Sequence, residues 1–504
     1  MSTIEDSDSK RKHEFNDGAS NKSARVDTLL IDKLTSFLSK HPKQLKTVAY
    51  GTAGFRYNLD LPLDPIFVRM GLLAVFRSAS VGYKATGVMI TASHNPECDN
   101  GVKMVDYDGG MFHQSWEAKA EALANASEES LPRLLQSLQH SITIDNELID
   151  FTKTVVIVGR DTRPHSGRLL ACIKLGVEIL GGTLIDVGVV TTPQLHFSVG
   201  LYNEQSITDI HAHLITGEWL ISQYNERFSK AYVDICSRLP ASENKVHLII
   251  DASNGVGSLS ISRTLDRINT LASASDIPHS ITYDIRNPAY SGPVNHNCGA
   301  EHVQKNVQPP VNVSAGTDIG HTICSLDGDA DRIVFHGFVN KGHNSDPSAG
   351  SDWIMLDGDK IAALFVILLK QTLEAAEPLL HSTSTTTSTT TATTSISHTN
   401  IRFGVVQTAY ANGSSTSFFR SQGVDVSMAK TGVKYLHHVA LEKYDIGVYF
   451  EANGHGKRII CIVCIVFIWC PLMLQAMLIH MHTIQLYAYT FMLYSHVVVI
   501  ILPT

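Results

Sequence analysis

The stretch Thr91–Asn100, TASHNPECDN, contains residues that can take part in group-transfer chemistry. Ser93 offers a hydroxyl, and His94 follows it directly. The preceding residues 86–90, TGVMI, predict a short buried strand because they are apolar and end in turn residues. A serine in a turn at the end of a strand can be presented to a ligand. Adjacent side chains on a strand point apart, so no direct Ser–His dyad is expected, and a plain capped turn stays open as the alternative.

Three carboxylates at alternate positions, Asp327, Asp329 and Asp331, form a second candidate site. Carboxylates this close raise one another's pKa unless a cation neutralises them. Their hard oxygen atoms suit Mg²⁺, which also leaves positions open for a phosphate oxygen or water. An EF-hand is excluded because the twelfth position of such a loop holds no acidic residue. The similar pair Asp357 and Asp359 precedes an apolar helical pattern and predicts a capped helix N-terminus instead.

A third candidate set, Glu451, Asn453 and His455, follows an apolar strand pattern at 446–449 on a loop with glycines. A carboxylate, an amide and an imidazole can bind sugar hydroxyls, and His455 can also move a proton. The loop YGTAGFR is likewise broken by glycines and ends in Arg56, whose guanidinium can bind a phosphate. Each of these two stretches, taken alone, is also compatible with an ordinary loop.

Predicted strands and helices alternate around these loops. The apolar patterns predict strands at 154–158, 183–187 and 403–406, and helices at 26–45, 66–79, 116–123, 166–180 and 361–373. Residues 100–103 indicate a turn, which places Lys103 near Ser93 in the sequence. This alternation is typical of α/β units with mixed or parallel sheets.

A chain of 504 residues is too long for one core and predicts about three folded domains. The strand pattern restarts near residues 247 and 321. We predict a disordered N-terminus, three consecutive α/β domains with mixed sheets and an apolar tail, at 1–25, 26–185, 186–318, 319–456 and 457–504 respectively. The three aspartates lie at the border of the second and third domains, and a serine/threonine-rich insertion at 382–397 interrupts the third.

Composition excludes several classes of function. Charged residues make up 17% of the chain and the formal net charge is −8, so a basic surface for nucleic acid is not expected. The N-terminus has no apolar segment of a secretory signal. Eight cysteines without a paired metal-binding spacing predict free thiols in a reducing compartment. These features predict a cytoplasmic protein.

Together, TASHNP at 91–96, DGDADR at 327–332 and FEANGHG at 450–456 resemble the phosphoserine, metal and sugar loops of the α-D-phosphohexomutase superfamily. The acetylglucosamine branch is indicated by VVQTAYANGSS, AKTGVK and GRDTRP, at 405–415, 429–434 and 159–164. The resemblance extends from about residue 45 to residue 456. It implies a phosphohexomutase fold of consecutive α/β domains.

The resemblance also implies roles for individual residues. Ser93 would rest as phosphoserine and contribute to a Mg²⁺ site with Asp327, Asp329 and Asp331. The other residues implied to lie near the chemistry are His94, Arg56, Lys103 and His455. The residues implied to bind substrate are Arg332, Thr431, Gly432, Glu451, Asn453 and His455. The general base stays unassigned among His455, Lys103 and Arg56.

The implied substrate is a hexosamine phosphate. The reaction would interconvert N-acetylglucosamine 6-phosphate and 1-phosphate, with a sugar 1,6-bisphosphate as intermediate and activator, for UDP-N-acetylglucosamine synthesis. A phosphoglucomutase or phosphomannomutase activity is the alternative within the same enzyme class. An inactive remnant that still binds Mg²⁺ and sugar phosphate is a further alternative.

The C-terminal segment departs from the family pattern. The family ends in a fourth domain with an RPSGTE-type phosphate loop, and this chain has no such sequence. Residues 459–504 contain no Asp, Glu, Lys or Arg, and 459–479 are long and apolar enough to span a membrane, with Pro471 as a kink. We favour a mis-spliced or intron-derived tail over a membrane anchor, and expect a chain that lacks the fourth domain. Membrane association is expected only if this tail is genuine.

Overall fold

The computed structural model describes residue 36 and residues 46–142, 149–206, 215–237, 244–277, 279–340, 351–381 and 401–455. Four predictions lie outside these residues: the disordered N-terminus at 1–25, the helix at 26–45 apart from residue 36, the insertion at 382–397 and the apolar tail at 457–504. Within the described ranges, no helix has the length and apolarity needed to cross a membrane.

The first sheet has five strands, with helices on its two faces. Its elements are β1 (Phe55–Asn58), α1 (Asp64–Ser80), β2 (Thr86–Ile90), β3 (Asp99–Val105), α2 (Gln114–Asn125), α3 (Leu131–His140), β4 (Val155–Arg160), α4 (Ser166–Leu180), β5 (Thr183–Val189) and α5 (Thr192–Ser206). The strand order is β1-β3-β2-β4-β5. β3 is antiparallel to β1 and β2, while β2, β4 and β5 run parallel. The sheet is therefore mixed, as the sequence predicts.

The second sheet repeats this arrangement. Its elements are α6 (Gly217–Cys236), β6 (Asn244–Asp251), α7 (Gly257–Ala274), β7 (His279–Arg286), α8 (Ala300–Asn306), α9 (Ala315–Asp318), β8 (Thr322–Leu326), β9 (Ile333–Asn340) and β10 (Ser351–Leu356). The order is β10-β9-β8-β6-β7, with β10, β9 and β8 antiparallel and β8, β6 and β7 parallel. The first two sheets therefore have the same build, although the strand pattern that restarts near residue 321 lies inside the second sheet and does not begin the third.

The third sheet is smaller and shares a core with the second. Its elements are α10 (Gly358–His381), β11 (Phe403–Thr408), α11 (Gly413–Ser421), β12 (Asp425–Ala429), α12 (Val433–Lys443) and β13 (Ile446–Tyr449). The order is β12-β11-β13, and both pairings are parallel. Phe365 of α10 stacks on Phe450, with ring centroids 5.8 Å apart. One apolar cluster therefore continues from the second sheet into the third.

Helix α1 occupies the centre of the first core. Every residue of α1 except Ser80 is buried, because Leu, Phe, Val and Met side chains surround the whole helix. It crosses α4 at two glycines. A Cβ atom on Gly71 would lie 2.4 Å from the Ile173 carbonyl oxygen, and one on Gly176 would lie 2.1 Å from the Val68 carbonyl oxygen. These glycines set the separation of α1 and α4. That separation in turn sets the position of β2, which lies between these two helices and the opposite face of the sheet.

The predicted turn at 100–103 is wrong, because these residues lie within β3. An Asn-Gly pair is a turn signal, but here Gly101 permits close pairing with β1: a Cβ atom would lie 2.3 Å from the Phe55 carbonyl oxygen. Lys103 is consequently fixed in a strand, opposite Met89 of β2. A strand holds a lysine near the carboxyl end of β2 more rigidly than a turn would.

The strands are distributed differently from the predicted domain boundaries. β5 runs through the predicted boundary at 185/186, and β8, β9 and β10, which follow the boundary at 318/319, belong to the same sheet as β6 and β7. We propose that the boundaries lie after α5, which packs on β2 and β4, and close to residue 357, where the second sheet ends and the third unit begins. The three aspartates then belong to the second domain.

Candidate active site

Ser93 lies in the loop after β2 and is 2% exposed. Its φ is +54°, in the left-handed region that L-residues other than glycine rarely adopt. Its backbone N–H donates to Thr91 Oγ1 at 2.8 Å, and Asn95 N donates to the Ala92 carbonyl at 3.0 Å. Surrounding contacts hold this strained backbone, which directs the Ser93 hydroxyl toward the second sheet.

The three aspartates follow β8 and face Ser93. Their loop is closed by the backbone N–H groups of Asp331 and Arg332, which donate to Asp327 Oδ1 at 3.0 and 3.1 Å. One carboxylate oxygen from each aspartate lies within 4.8 Å of the others. Ser93 Oγ lies 3.1 Å from Asp327, 2.9 Å from Asp329 and 3.3 Å from Asp331. The predicted serine and carboxylates are therefore brought together from two different sheets.

Lys103 supplies positive charge to this cluster. Its Nζ donates to Asp329 Oδ2 at 2.6 Å and to Asp331 Oδ2 at 2.7 Å, and lies 3.4 Å from Ser93 Oγ. Burial alone would lower the pKa of Lys103, but the charges of Asp329 and Asp331 outweigh it and raise this pKa. The ammonium is thus held in its charged form beside the serine hydroxyl.

The three carboxylates differ in how readily they ionise. Burial, followed by the charges of Asp331 and Asp329, raises the pKa of Asp327 well above its usual value. Burial also opposes ionisation of Asp331, but Lys103 and other nearby cations hold its pKa well below the usual value. Close carboxylates, of which one has a raised pKa, repel one another, and a bound cation offsets this repulsion.

Three further residues of the predicted site surround the cluster: Arg332, predicted to bind substrate, and Arg56 and His94, predicted to lie near the chemistry. Arg332 Nη1 donates to Glu301 Oε2 at 2.8 Å, and its Nε lies 3.7 Å from Asp327 Oδ2. Arg56 lies on β1, where burial lowers its pKa and the charges of the aspartates oppose that change. Burial and the charges of Arg332 and Arg56 lower the pKa of His94 to about 2, and its buried Nδ1 has no hydrogen-bond partner among the described residues. His94 is therefore a neutral imidazole at physiological pH.

The predicted sugar loop lies against the aspartate loop. His455 Nε2 lies 3.6 Å from Asp331 Oδ2, and His455 Nδ1 lies 3.9 Å from Glu451 Oε2. Burial lowers the pKa of His455 to about 4, despite the opposing charge of Asp331. Asn453 Oδ1 accepts from His455 N at 3.0 Å and shapes the turn. Gly432 N donates to Glu451 Oε1 at 2.9 Å, whereas the neighbouring Thr431 is exposed.

Two residues that the sequence does not identify as part of the site contact it directly. Thr192 Oγ1 donates to Asp329 Oδ2 at 2.6 Å. Arg163 is 2% exposed, and its Nη2 donates to the carbonyl oxygens of Ser93 at 3.2 Å and Asn95 at 2.6 Å. Both residues follow parallel strands, β5 and β4, at the edge where β2 ends. That shared edge is the signal that would have identified them.

Family profiles match two parts of the chain. Residues 357–464 match the profile described as phosphoacetylglucosamine mutase AMG1, domain III. Residues 72–131 match the profile described as phosphoglucomutase/phosphomannomutase, alpha/beta/alpha domain I. The first match continues to residue 464, so the predicted end of the family resemblance at Gly456 is too early.

Curated relatives cover more of the chain. The phosphoacetylglucosamine mutase of Mus musculus is 39% identical over 414 residues, which are 81% of this chain and 66% of the relative. That of Homo sapiens is 39% identical over 434 residues, which are 85% of this chain and 69% of the relative. The chain thus spans about two thirds of the length of these relatives.

Solved structures show the same fold. A crystal structure of N-acetylglucosamine-phosphate mutase in a product complex superimposes with a TM-score of 0.69 at 34% identity, over 84% of this chain and 71% of that one. The Aspergillus fumigatus enzyme in complex with GlcNAc-6P and magnesium gives 0.68 at 28% identity, over 93% and 83%. A structure of the A. fumigatus enzyme with glucose 1,6-bisphosphate gives 0.68 at 31%, over 85% and 70%. The mixed α/β architecture predicted from the sequence is confirmed, and the chain belongs to the phosphoacetylglucosamine mutase family of the α-D-phosphohexomutase superfamily.

Proposed function

We propose that this chain interconverts N-acetylglucosamine 6-phosphate and N-acetylglucosamine 1-phosphate, with Ser93 as the phosphoryl carrier. The observation that carries the proposal is the approach of Ser93 Oγ to the carboxylates of Asp327, Asp329 and Asp331, with Lys103 3.4 Å away. A hydroxyl among anions and one cation is a poor structural contact, but it suits a group that carries a phosphoryl.

The cluster fits a divalent cation on its own geometry. The Ser93 hydroxyl has one proton and can donate it to one of the three carboxylates at a time. In its contacts with the other two carboxylates, Ser93 Oγ lies close to an oxygen atom with none of its own protons between them. Burial, followed by the charges of the neighbouring carboxylates, raises the pKa of Asp327, and a cation bound beside it would favour its ionised form. We assign Mg²⁺ to Asp327, Asp329 and Asp331 with an oxygen carried by Ser93, because hard oxygen donors suit this ion. When bound, Mg²⁺ neutralises charge on the transferring phosphoryl group.

The chain's own residues then support a two-step transfer. In the first step the bond between Ser93 Oγ and phosphorus breaks and a bond from a sugar hydroxyl to phosphorus forms. The proton of the sugar hydroxyl passes to a base, and the departing Ser93 Oγ takes up a proton to become a hydroxyl. The sugar 1,6-bisphosphate then presents its other phosphoryl group, and Ser93 Oγ accepts it in the reverse reaction. Lys103, held charged between Asp329 and Asp331, stabilises the negative charge on the reacting oxygens.

Substrate binding is assigned to the third sheet and its neighbours. Glu451 and Asn453 offer oxygen atoms for sugar hydroxyls, and Arg332 offers a guanidinium at the border of the two loops. Gly432 keeps Glu451 in place through its backbone N–H. Arg56 on β1 and Thr431, just before α12, complete the proposed set.

A coupled assay of the full chain tests this proposal. The chain is given N-acetylglucosamine 6-phosphate, Mg²⁺ and a trace of glucose 1,6-bisphosphate, and formation of the 1-phosphate is followed. We expect turnover by the wild type and by Ser222→Ala, a matched control that removes an exposed helical hydroxyl. We expect no turnover by Ser93→Ala, although its thermal stability should be nearly unchanged because one polar loop hydroxyl contributes little to folding.

The outcomes separate the alternatives. Turnover that survives in Ser93→Ala would remove the phosphoserine mechanism. A larger kcat/KM for glucose or mannose phosphates would instead assign a phosphoglucomutase or phosphomannomutase activity. A wild-type chain that binds Mg²⁺ and sugar phosphate without turnover would be the inactive remnant.

A further inference from the structure

The loop after β7 reaches across from the second sheet to the loop that carries Ser93. Asn295 in this loop donates both hydrogens of its side-chain amide to backbone carbonyls of the serine loop, to Ser93 O at 2.8 Å and to Asn95 O at 2.9 Å. Val294 N also donates to Glu97 Oε2 at 3.2 Å. The two loops are therefore joined by three hydrogen bonds.

The orientation of the Asn295 amide is fixed by these acceptors. A flipped amide would place Oδ1 against two carbonyl oxygens, so the nitrogen must face them. The backbone of Asn295 is itself held, since its N–H donates to the Ser253 carbonyl at 2.9 Å. Its φ of +62° lies in the left-handed region that asparagine tolerates better than most residues.

The backbone carbonyls of Ser93 and Asn95 also accept hydrogen bonds from a residue of the first sheet. Arg163 Nη2 donates to Ser93 O at 3.2 Å and to Asn95 O at 2.6 Å. Each carbonyl oxygen has two lone pairs and so can accept one donor from each sheet. The second sheet approaches closely enough that a Cβ atom on Gly328 would lie 2.7 Å from Ser93 O and 2.9 Å from Asn295 Nδ2.

We propose that Asn295 is a positioning residue for phosphoryl transfer, which holds Ser93 in its left-handed backbone conformation from the opposite sheet. Ser93 needs this conformation to direct Oγ at the three aspartates, and relaxation to an ordinary φ would turn the hydroxyl away. Arg163 belongs to the same sheet as Ser93, so by itself it cannot fix the position of the serine relative to the aspartate loop. Asn295 does so, because it and the aspartates follow strands of one sheet. The inference rests on the proposed function of Ser93.

Two substitutions at Asn295 test the proposal. Asn295→Asp keeps the shape but replaces two donors with an anion, and Asn295→Gly removes the side chain while tolerating the positive φ. Asn297→Asp is the matched control, because Asn297 has a φ of +53° in the same loop, and its exposed side chain contacts His296. We expect both Asn295 variants to lower kcat about ten- to a hundredfold with KM nearly unchanged, since misplacement of a reacting group costs rate rather than affinity.

Amide hydrogen exchange over residues 91–98 provides a readout that does not require turnover. Exchange should be faster in both Asn295 variants and unchanged in Asn297→Asp. Folded Asn295 variants with wild-type exchange and wild-type kcat would overturn the proposal, and so would an equal effect in Asn297→Asp. If the wild-type chain shows no turnover, the proposed function fails, while faster exchange in the Asn295 variants would still establish that Asn295 holds the serine loop.

Discussion

At the scale of single residues, the site is dominated by charges that cannot all be satisfied by protein groups. Lys103 donates to two of the carboxylates, Asp329 and Asp331, and Arg332 lies 3.7 Å from the third, Asp327. Burial and its neighbours nevertheless raise the pKa of Asp327. Removal of one carboxylate should therefore relieve repulsion and weaken cation binding together.

Asp329→Asn should lower kcat about a thousandfold and raise the Mg²⁺ concentration needed for half-maximal activity. The physical reason is the loss of a ligand that stabilises the transferring group by several kcal/mol, at tenfold for every ~1.4 kcal/mol. Titration of activity with Mg²⁺ gives both quantities.

Asp357→Asn is the matched control for this substitution. Asp357 stands in a similar DGD sequence, but its Oδ1 accepts from Lys360 N at 3.2 Å, as predicted for a helix cap. Its replacement should leave the Mg²⁺ dependence unchanged. An equal loss in both variants would contradict the assignment of the metal to 327–331.

At the scale of elements, close approaches of helices and strands decide where the loops lie. α1 and α4 touch backbone to backbone at Gly71 and Gly176, which leaves no room for a methyl group at either position. Overpacking of such a contact typically costs 1–3 kcal/mol, while alanine favours a helix over glycine by about 1 kcal/mol. The two effects oppose each other, and the contact distance decides which is larger.

Gly176→Ala should lower the free energy of unfolding by about 2 kcal/mol, because the new Cβ would lie 2.1 Å from a backbone oxygen that cannot move alone. Gly167 is the control, since it lies in the same helix and a methyl group added there would meet nothing within 4 Å. Gly167→Ala should be neutral or stabilise by up to about 1 kcal/mol. Urea unfolding measures both changes, and a stabilising Gly176→Ala would contradict the packing argument.

Buried His336 on β9 should make stability depend on pH. Burial lowers its pKa from 6.5 to about 3, and its ring contacts Ser325 Oγ at 2.9 Å. The unfolded chain binds this proton more readily than the folded one, so the stabilisation is complete above pH 6.5 and falls as pH falls toward the folded pKa. The slope contributed is up to about 1.4 kcal/mol per pH unit.

His336→Gln should reduce this slope, which urea unfolding at about pH 7 and pH 5 measures. The comparison of slopes is independent of any constant loss of stability that the substitution causes. An unchanged slope would mean that another group dominates the acid sensitivity.

Elements whose signals are local can be predicted from the sequence, and contacts between sheets cannot. β2, β13 and α4 have the predicted bounds, because apolar runs there are limited by turn residues on both sides. The spacing of the aspartates is sufficient to predict that they converge. Thr192 and Asn295 give no local signal, since their partners lie 137 and about 200 residues away in the chain. Their roles follow only from the tertiary approach of two strand edges.

At the scale of the whole molecule, the first and third sheets are joined by an ion pair. Lys434 of α12 donates to both carboxylate oxygens of Glu117 of α2, at 2.7 and 2.9 Å. The two side chains are only 13% and 17% exposed, so water screens them less than a surface pair. This pair joins α12, the helix that precedes β13 and the sugar loop, to α2 of the first unit.

A double-mutant cycle of Lys434→Met and Glu117→Gln should give a coupling free energy of about 1–2 kcal/mol. The control cycle uses Lys174 and Glu178, which lie 3.7 Å apart and are 58% and 56% exposed. Its coupling should stay below about 0.5 kcal/mol, as is usual for exposed pairs on one helix. Equal couplings in urea unfolding would mean that Lys434–Glu117 does not join the sheets.

The distance in sequence between Ser93 and its partners has a consequence for the order of synthesis. Asp327 is added to the growing chain 234 residues after Ser93, and Asn295 is added 202 residues after it. A ribosome-bound chain that has completed only the first sheet therefore contains Ser93 but neither Asn295 nor the aspartates that lie around its hydroxyl. On the mechanism proposed above, Ser93 gains its reactivity only after the second sheet has been made and has folded against the first.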